Sequence, residues 1–145
     1  MANSNDYHKA LPYECDSGWV AIQNEALTLY TLHPKFNGNT FLVYAYLLKN
    51  YNCREGRSYP SIDNMSRTLN MHKDTISRCI DTLDSLDMID IHRLGGVRRF
   101  NNFYTFKQLI LDVKAFLERF PEASPQFEKC YGKEILQNEE IIDWL

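Results

Sequence analysis

Ser61-Ile-Asp-Asn-Met-Ser-Arg-Thr-Leu69, Asn70-Met71-His72, Lys73-Asp-Thr-Ile-Ser-Arg-Cys-Ile-Asp-Thr-Leu83, then Met88-Ile89 and Arg98-Arg-Phe-Asn-Asn-Phe-Tyr-Thr-Phe106 succeed one another within one short stretch of this chain. The spacing predicts a short helix, a tight turn, a second helix and a β-hairpin. Ser61 stands where a helix cap belongs, and Asp63 lies near the positive end of that helix. Ile62, Met65 and Leu69 recur at helical spacing and form its inward stripe. Asn70 suits the turn because it tolerates a left-handed backbone. In the second helix, residues 72–86, the apolar stripe is Ile76, Cys79, Ile80, Leu83 and Leu86. Asp74, Ser77, Arg78, Asp81 and Ser85 lie opposite, with Lys73 and Thr75 at the flanks. Gly95-Gly96 signals the hairpin turn, and residues 100–106 return as a strand rich in aromatic and β-prone side chains.

The region upstream supplies the rest of a core. Apolar residues cluster at 19–22, consistent with a short strand or packed turn. Residues 26–32 read as one or two helical turns ended by His33-Pro34. Asn37-Gly38-Asn39 is a turn, with Asn39 or Thr40 as the expected cap of the next helix. That helix, residues 41–51, is apolar nearly all round, which predicts burial on every side. After a polar loop, Arg57-Ser58-Tyr59 reads as a short extended segment able to pair with the hairpin. Downstream, Leu109, Ile110, Val113, Phe116, Leu117 and Phe120 define one face of an amphipathic helix over residues 107–120. Pro121 and Pro125 bracket a break. Residues 126–145 should form one or two further short helices with an acidic exterior.

Size, composition and charge bound the function. At 145 residues the chain suits one domain with a proper core. Its longest apolar run, residues 41–48, is far short of a membrane span, and residues 1–8 lack a signal-peptide pattern, so a cytoplasmic protein is expected. The four cysteines, Cys15, Cys53, Cys79 and Cys130, form no Cys-x-x-Cys pair and read as free thiols. No two ligands share metal-type spacing, so no metal and no cofactor are expected. There is no P-loop, no Gly-x-Ser-x-Gly, no His-Glu-x-x-His and no paired-His motif of a nicking nuclease, and the chain reads as non-enzymatic, without catalytic residues. Net charge is −3, but unevenly spread. Residues 1–56 hold four basic and five acidic side chains, residues 57–107 eight and six, and residues 108–145 four and eight. The helix-and-hairpin segment is thus the one positive region, able to offer a basic face to phosphates.

Residues 60–106 resemble the helix-turn-helix domain at the front of many plasmid and phage replication-initiation proteins of Gram-positive bacteria, and the wider winged-helix regulator group. The matching features are Tyr59-Pro60-Ser61, Thr75-Ile76, the Ile80 and Leu83 ladder, the Met88-Ile89 strand entry and the Arg98-Arg99…Asn102-Phe103-Tyr104-Thr105 return. The layout from Trp19 onward is similar as well. Two departures stand out. Asp87 occupies a turn position where the family usually carries Gly, and the second helix holds Asp74 and Asp81.

The resemblance implies an α+β winged helix-turn-helix that binds double-stranded DNA. It divides the chain into an N-terminal arm (1–18), the DNA-binding domain (19–106) and a helical extension (107–145). His72, Lys73, Thr75, Ser77 and Arg78 would reach base edges and phosphates, and Asp74 could accept from a cytosine amino group. Arg98 and Arg99, with Arg93 across the hairpin, would hold the wing against the duplex. Arg67 would clamp the backbone, and Ser61 completes the candidate set. The competing reading makes these residues an ordinary solvated face and a charged hairpin edge. The many aromatic residues, among them Tyr44, Tyr46, Tyr51, Phe103, Tyr104 and Phe106, are expected in the core rather than on a base-stacking platform. The helix from Lys107 and the apolar C-terminus (Ile141, Ile142, Trp144, Leu145) offer a homodimer interface, unless the tail folds back onto its own core. The implied role is a transcriptional regulator, or a replication- or transfer-origin-binding protein, of a bacterial mobile element, with a replication or transcription protein as a possible partner. The alternative is a winged helix that binds another protein instead of DNA.

Overall fold

Residues 10–93 and 102–132 are described by a computed structural model. Residues 10–24 run without regular structure, so the strand expected at 19–22 does not form; Trp19 is 57% exposed, while Ile22 packs against the core. One helical turn, α1 (Glu25–Thr28), then a 3-10 turn (Tyr30–Leu32) place Ala26, Leu29, Tyr30 and Leu32 in the core before Pro34 ends the run.

The next helix, α2 (Gly38–Lys49), starts earlier than expected. Its cap is Asn37, whose Oδ1 accepts from the Thr40 N–H at 3.0 Å, so Gly38 and Asn39 already lie in the first turn. Thr40 is then free to bond the Lys35 carbonyl through its hydroxyl. Burial on every side is also corrected. Thr40, Val43, Tyr44 and Leu47 form one buried stripe, while Leu42 remains 41% exposed. The domain has too few neighbouring elements to enclose a helix completely, and α2 is covered chiefly along one face.

Behind α2 a small hairpin forms from β1 (Tyr51–Asn52) and β2 (Arg57–Ser58). The Asn52 side chain shapes its turn by accepting from the Arg54 and Glu55 N–H groups. Ser58 locks it to α2: its fully buried hydroxyl donates to the Leu47 carbonyl at 2.7 Å.

Two helices follow, α3 (Ile62–Leu69) and α4 (Lys73–Ser85). Ser61 caps α3 by accepting from the Asn64 N–H at 3.0 Å. Asn70 ends it at φ 54°, in the left-handed conformation its position demanded. Met65, Ile76, Cys79, Ile80, Leu83 and Leu86 are buried, as the periodicity required. After α4 the chain turns through Asp87 at φ 60°, the place where the resembling family carries Gly. Its carboxylate meets Lys107 Nζ at 2.5 Å, and Asp90 meets the same ammonium at 3.2 Å. The two carboxylates hold the Lys107 pKa above its ordinary value.

The wing strands are β3 (Ile89–His92) and β4 (Phe103–Phe106), antiparallel with Ile89 opposite Phe106 and His92 opposite Phe103. Ser58 pairs with Tyr104, giving a four-stranded sheet in the order β1-β2-β4-β3. The extended segment before Pro60 therefore joins the wing as expected. Gly95, Gly96, Arg98, Arg99 and Phe100 lie outside the described residues. The fold is an α+β winged helix with a small antiparallel sheet whose wing strands, β3 and β4, follow α4.

The amphipathic helix expected over 107–120 is shorter: α5 spans Val113–Arg119. Residues 107–112 spend their hydrogen bonds on tertiary partners instead. The Lys107 N–H donates to the Met88 carbonyl, the Ile110 N–H donates to the Tyr30 hydroxyl at 3.0 Å, and Asp112 caps α5 by accepting from the Ala115 N–H. The two prolines open structure rather than bracket a gap. A 3-10 turn (Pro121–Ala123) leads directly into α6 (Ser124–Tyr131), each with Pro in its first turn, where the missing N–H is not needed.

Leu109, Val113, Phe116, Leu117, Phe120 and Phe127 are buried in the same apolar cluster as α2 and α4. The Phe116 ring meets Tyr30 edge-on at 4.8 Å. The apolar face of α5 is thus packed into the chain's own core, while Ile141, Ile142, Trp144 and Leu145 lie outside the described residues.

His33 joins the two ends of this core. It is buried, its Nδ1 accepts from the Lys35 N–H, its ring stands edge-on to Phe120, and Nε2 lies 3.7 Å from Glu122. Burial pulls its pKa below the ordinary 6.5, against the opposing pull of Glu122. The unfolded chain therefore takes up the proton more readily than the folded one. The stabilising contribution is complete above about pH 6.5 and is lost as pH falls through the lower folded value. Melting temperature should be level near neutrality and decline below about pH 6.5, with the decline blunted in His33→Gln. A wild-type profile with no slope in that window would contradict the burial of this imidazole.

Candidate nucleic-acid interface

The interface is built around the amino end of α4. His72 is its cap: the ring Nδ1 accepts from the Asp74 N–H at 3.2 Å, leaving Nε2 directed away from that bond. His72, Lys73 and Asp74 are all strongly exposed, with side chains 75%, 62% and 85% accessible. Ser77 and Arg78, one turn further on, are exposed too, and Thr75 is half-buried between them. Nothing among the described residues covers this end of the helix. It can approach a major groove unobstructed.

Neighbouring contacts fix how these groups can act. Lys73 Nζ forms an ion pair with Asp63 at 2.8 Å, tying the start of α4 to the start of α3. The Lys73 ammonium also holds the Asp63 carboxyl below the ordinary carboxylate range. Arg67 donates from Nη2 to Asn64 Oδ1 at 2.7 Å, which aims its guanidinium along the exposed face of α3. Ser61, although among the predicted contacts, has its oxygen committed to the cap of α3. Arg93 is exposed at the end of β3. Arg98 and Arg99 lie outside the described residues, so the structure brings together the helical part of the predicted set and leaves the wing tip undescribed.

Charge along α4 is graded. Lys73 and Arg78 occupy its amino half together with Asp74, whereas Asp81 and Asp84 are exposed on a carboxyl half that carries no cation. A polar groove of about 430 Å³ runs beside Arg78 and Thr75, bounded across the way by Lys35, Asn37 and Asn39 at the start of α2. Sequence reasoning missed this second wall. Its signal was Asn37 itself, which was read as part of a turn rather than as the cap that brings the α2 amino end beside α4.

The aromatic residues divide. Tyr44 and Tyr104 are buried, as expected of core residues, and burial lifts the Tyr44 hydroxyl to about 12. Tyr46, Phe103 and Phe106 are half-buried, but Tyr51 and Tyr59 are exposed at 43% and 53%. No helix among the described residues is long and apolar enough to cross a membrane.

Comparison with known proteins agrees with this geometry. Residues 36–89, from just before α2 to the first residue of β3, match the family model of a helix-turn-helix domain. The match spans the whole of α2, α3 and α4, and such a domain points to DNA binding. No curated protein and no solved structure matches the chain.

Proposed function

We propose that this chain is a sequence-specific binder of double-stranded DNA, with the amino half of α4 in the major groove. The observation that carries this reading is the unobstructed α4 terminus, with Lys73, Ser77 and Arg78 exposed, inside a matched helix-turn-helix. Arg78 would read a base or phosphate, Ser77 and Thr75 would add shorter contacts, and Arg67 would clamp the backbone. His72 would contribute through the ring nitrogen not used in capping, and Asp74 through acceptance from a cytosine amino group. Arg93, Arg98 and Arg99 would hold the wing on the neighbouring backbone. The likeness to replication-initiation proteins supports a role as a transcriptional regulator, or as a replication- or transfer-origin-binding factor, of a bacterial mobile element.

With the α5 face consumed, self-association would fall to the apolar C-terminal residues, and two copies would then meet successive turns of a duplex. A different reading, a winged helix that binds a partner protein, draws on the Asp63 counter-charge at Lys73 and on Asp81 and Asp84. Salt dependence separates the two. Affinity for a random duplex should fall steeply with salt, with a log–log slope of about −4 to −5 if roughly five phosphates are engaged. Absence of duplex binding at low salt would remove the DNA reading and leave the protein adaptor.

A further inference from the structure

A second polar cleft lies at the opposite end of α3 from the Asn70 turn, where the carboxyl end of α2 meets the β1–β2 hairpin. It measures about 370 Å³, within the range of a small-ligand site. Its aromatic walls include Tyr51 and Tyr59, both exposed and not explained by core packing. Both rings are braced: Tyr51 stands edge-on to Phe106 at 5.7 Å, and the Arg57 guanidinium lies 5.9 Å from the Tyr59 centroid and 4.6 Å from that of Phe103.

The polar lining is rich in donors. Asn52 has its carbonyl oxygen filled by the Arg54 and Glu55 N–H groups, and that of Asn64 accepts from Arg67, whereas Asn50 spends its NH2 on the Tyr46 carbonyl. For Asn52 and Asn64 it is the amide NH2 that remains to serve the cleft. Lys49 adds a cation at the rim. A cleft with two flat rings, two amide donors and an ammonium suits a ligand that is planar, rich in acceptors along its edge, and negatively charged. A nucleotide has that chemistry: base carbonyls and ring nitrogens for the amides, a π-face for the tyrosines, and a phosphate for the lysine.

The geometry points to a single-nucleotide pocket here, formed by Tyr51, Tyr59, Asn52, Asn64 and Lys49, which takes one unpaired base and its phosphate. Asn64 belongs to this cleft and also positions Arg67, so the pocket abuts the exposed face of α3 that lies next to the α4 terminus. The pocket goes beyond duplex reading and does not depend on it. It would let the protein hold an unpaired base beside a duplex site, or a free nucleotide.

The test uses the full chain, wild type and Tyr59→Ala, Tyr51→Ala and Lys49→Ala, with circular dichroism to verify folding. The probes are a blunt random-sequence duplex, the same duplex with a single-stranded tail, a single-stranded oligonucleotide and a mononucleotide. Wild type should bind the tailed duplex and the single strand, and Tyr59→Ala should lose about tenfold on both while leaving the blunt duplex unchanged. Tyrosine-dependent binding of the mononucleotide alone would support the pocket with a free nucleotide as its source. Equal affinity of folded Tyr59→Ala and wild type for every unpaired probe overturns it, as does failure of wild type to bind any of them. Wild type that binds the unpaired probes in a Tyr59-dependent way but not the blunt duplex would support the pocket and count against the α4 reading.

Discussion

Arg78→Ala should weaken binding to a duplex target by about 1–3 kcal/mol, roughly five- to 150-fold, as measured by fluorescence anisotropy at fixed salt. Arg78 is the cation on the amino half of α4 that no carboxylate pairs with among the described residues; its side chain makes a long contact, 3.5 Å, to the Thr75 hydroxyl. It can turn to a guanine edge or a phosphate at little cost. Lys73 behaves differently because it must share its charge with Asp63. Lys73→Ala would remove a cation and also expose an unpaired carboxylate to the phosphates, so its loss should exceed that of a simple phosphate contact. Asp63→Asn supplies the reciprocal check: releasing Lys73 should raise affinity and steepen the salt dependence. If Arg78→Ala and Lys73→Ala both bind as wild type does, α4 is not the reading element.

Phe116→Ala should cost about 3–5 kcal/mol of stability, because it empties a fully buried site and strips the aromatic contact from Tyr30. For a chain of this size that is a fall in melting temperature of about 10 °C or more. The loss should appear as one cooperative transition followed by far-ultraviolet circular dichroism, since α5 shares its apolar cluster with α2 and α4. A separate early transition, with the helix-turn-helix melting at its usual temperature, would show that α5 is merely appended. So would a cost below about 1 kcal/mol, the range of surface substitutions.

What could be read in advance followed from how locally each feature is determined. The two helices of the reading unit were legible because their caps, turn residue and apolar stripes all lie within a few positions of one another: Ser61, Asn70 and the Ile76 to Leu86 ladder. Segments whose shape depends on distant partners were not. Residues 107–112 carry helical periodicity, yet the sheet, the Tyr30 hydroxyl and two aspartates claim their hydrogen bonds and charges. In α2 the apolar residues outnumber the neighbours available to cover them, which periodicity does not reveal. Among the candidate contacts, exposure of the α4 terminus was foreseeable. The Asp63 partner of Lys73 was not, because it is a pairing across two helices, and neither was the second wall formed by Lys35, Asn37 and Asn39.

The uneven distribution of charge on α4 has a directional consequence. A rod that carries Lys73 and Arg78 beside Asp74 in its leading half, and Asp81 and Asp84 without a cation in its rear half, is repelled more strongly at the rear than at the tip by a corridor of phosphates. On the proposed duplex such a rod would enter tip-first, and Asp81 and Asp84 would disfavour the reversed or flat-lying orientation. Acid placed there would oppose wrong registers as much as it lowers overall attraction, and a chain of net negative charge would in that way still discriminate among sites on a polyanion.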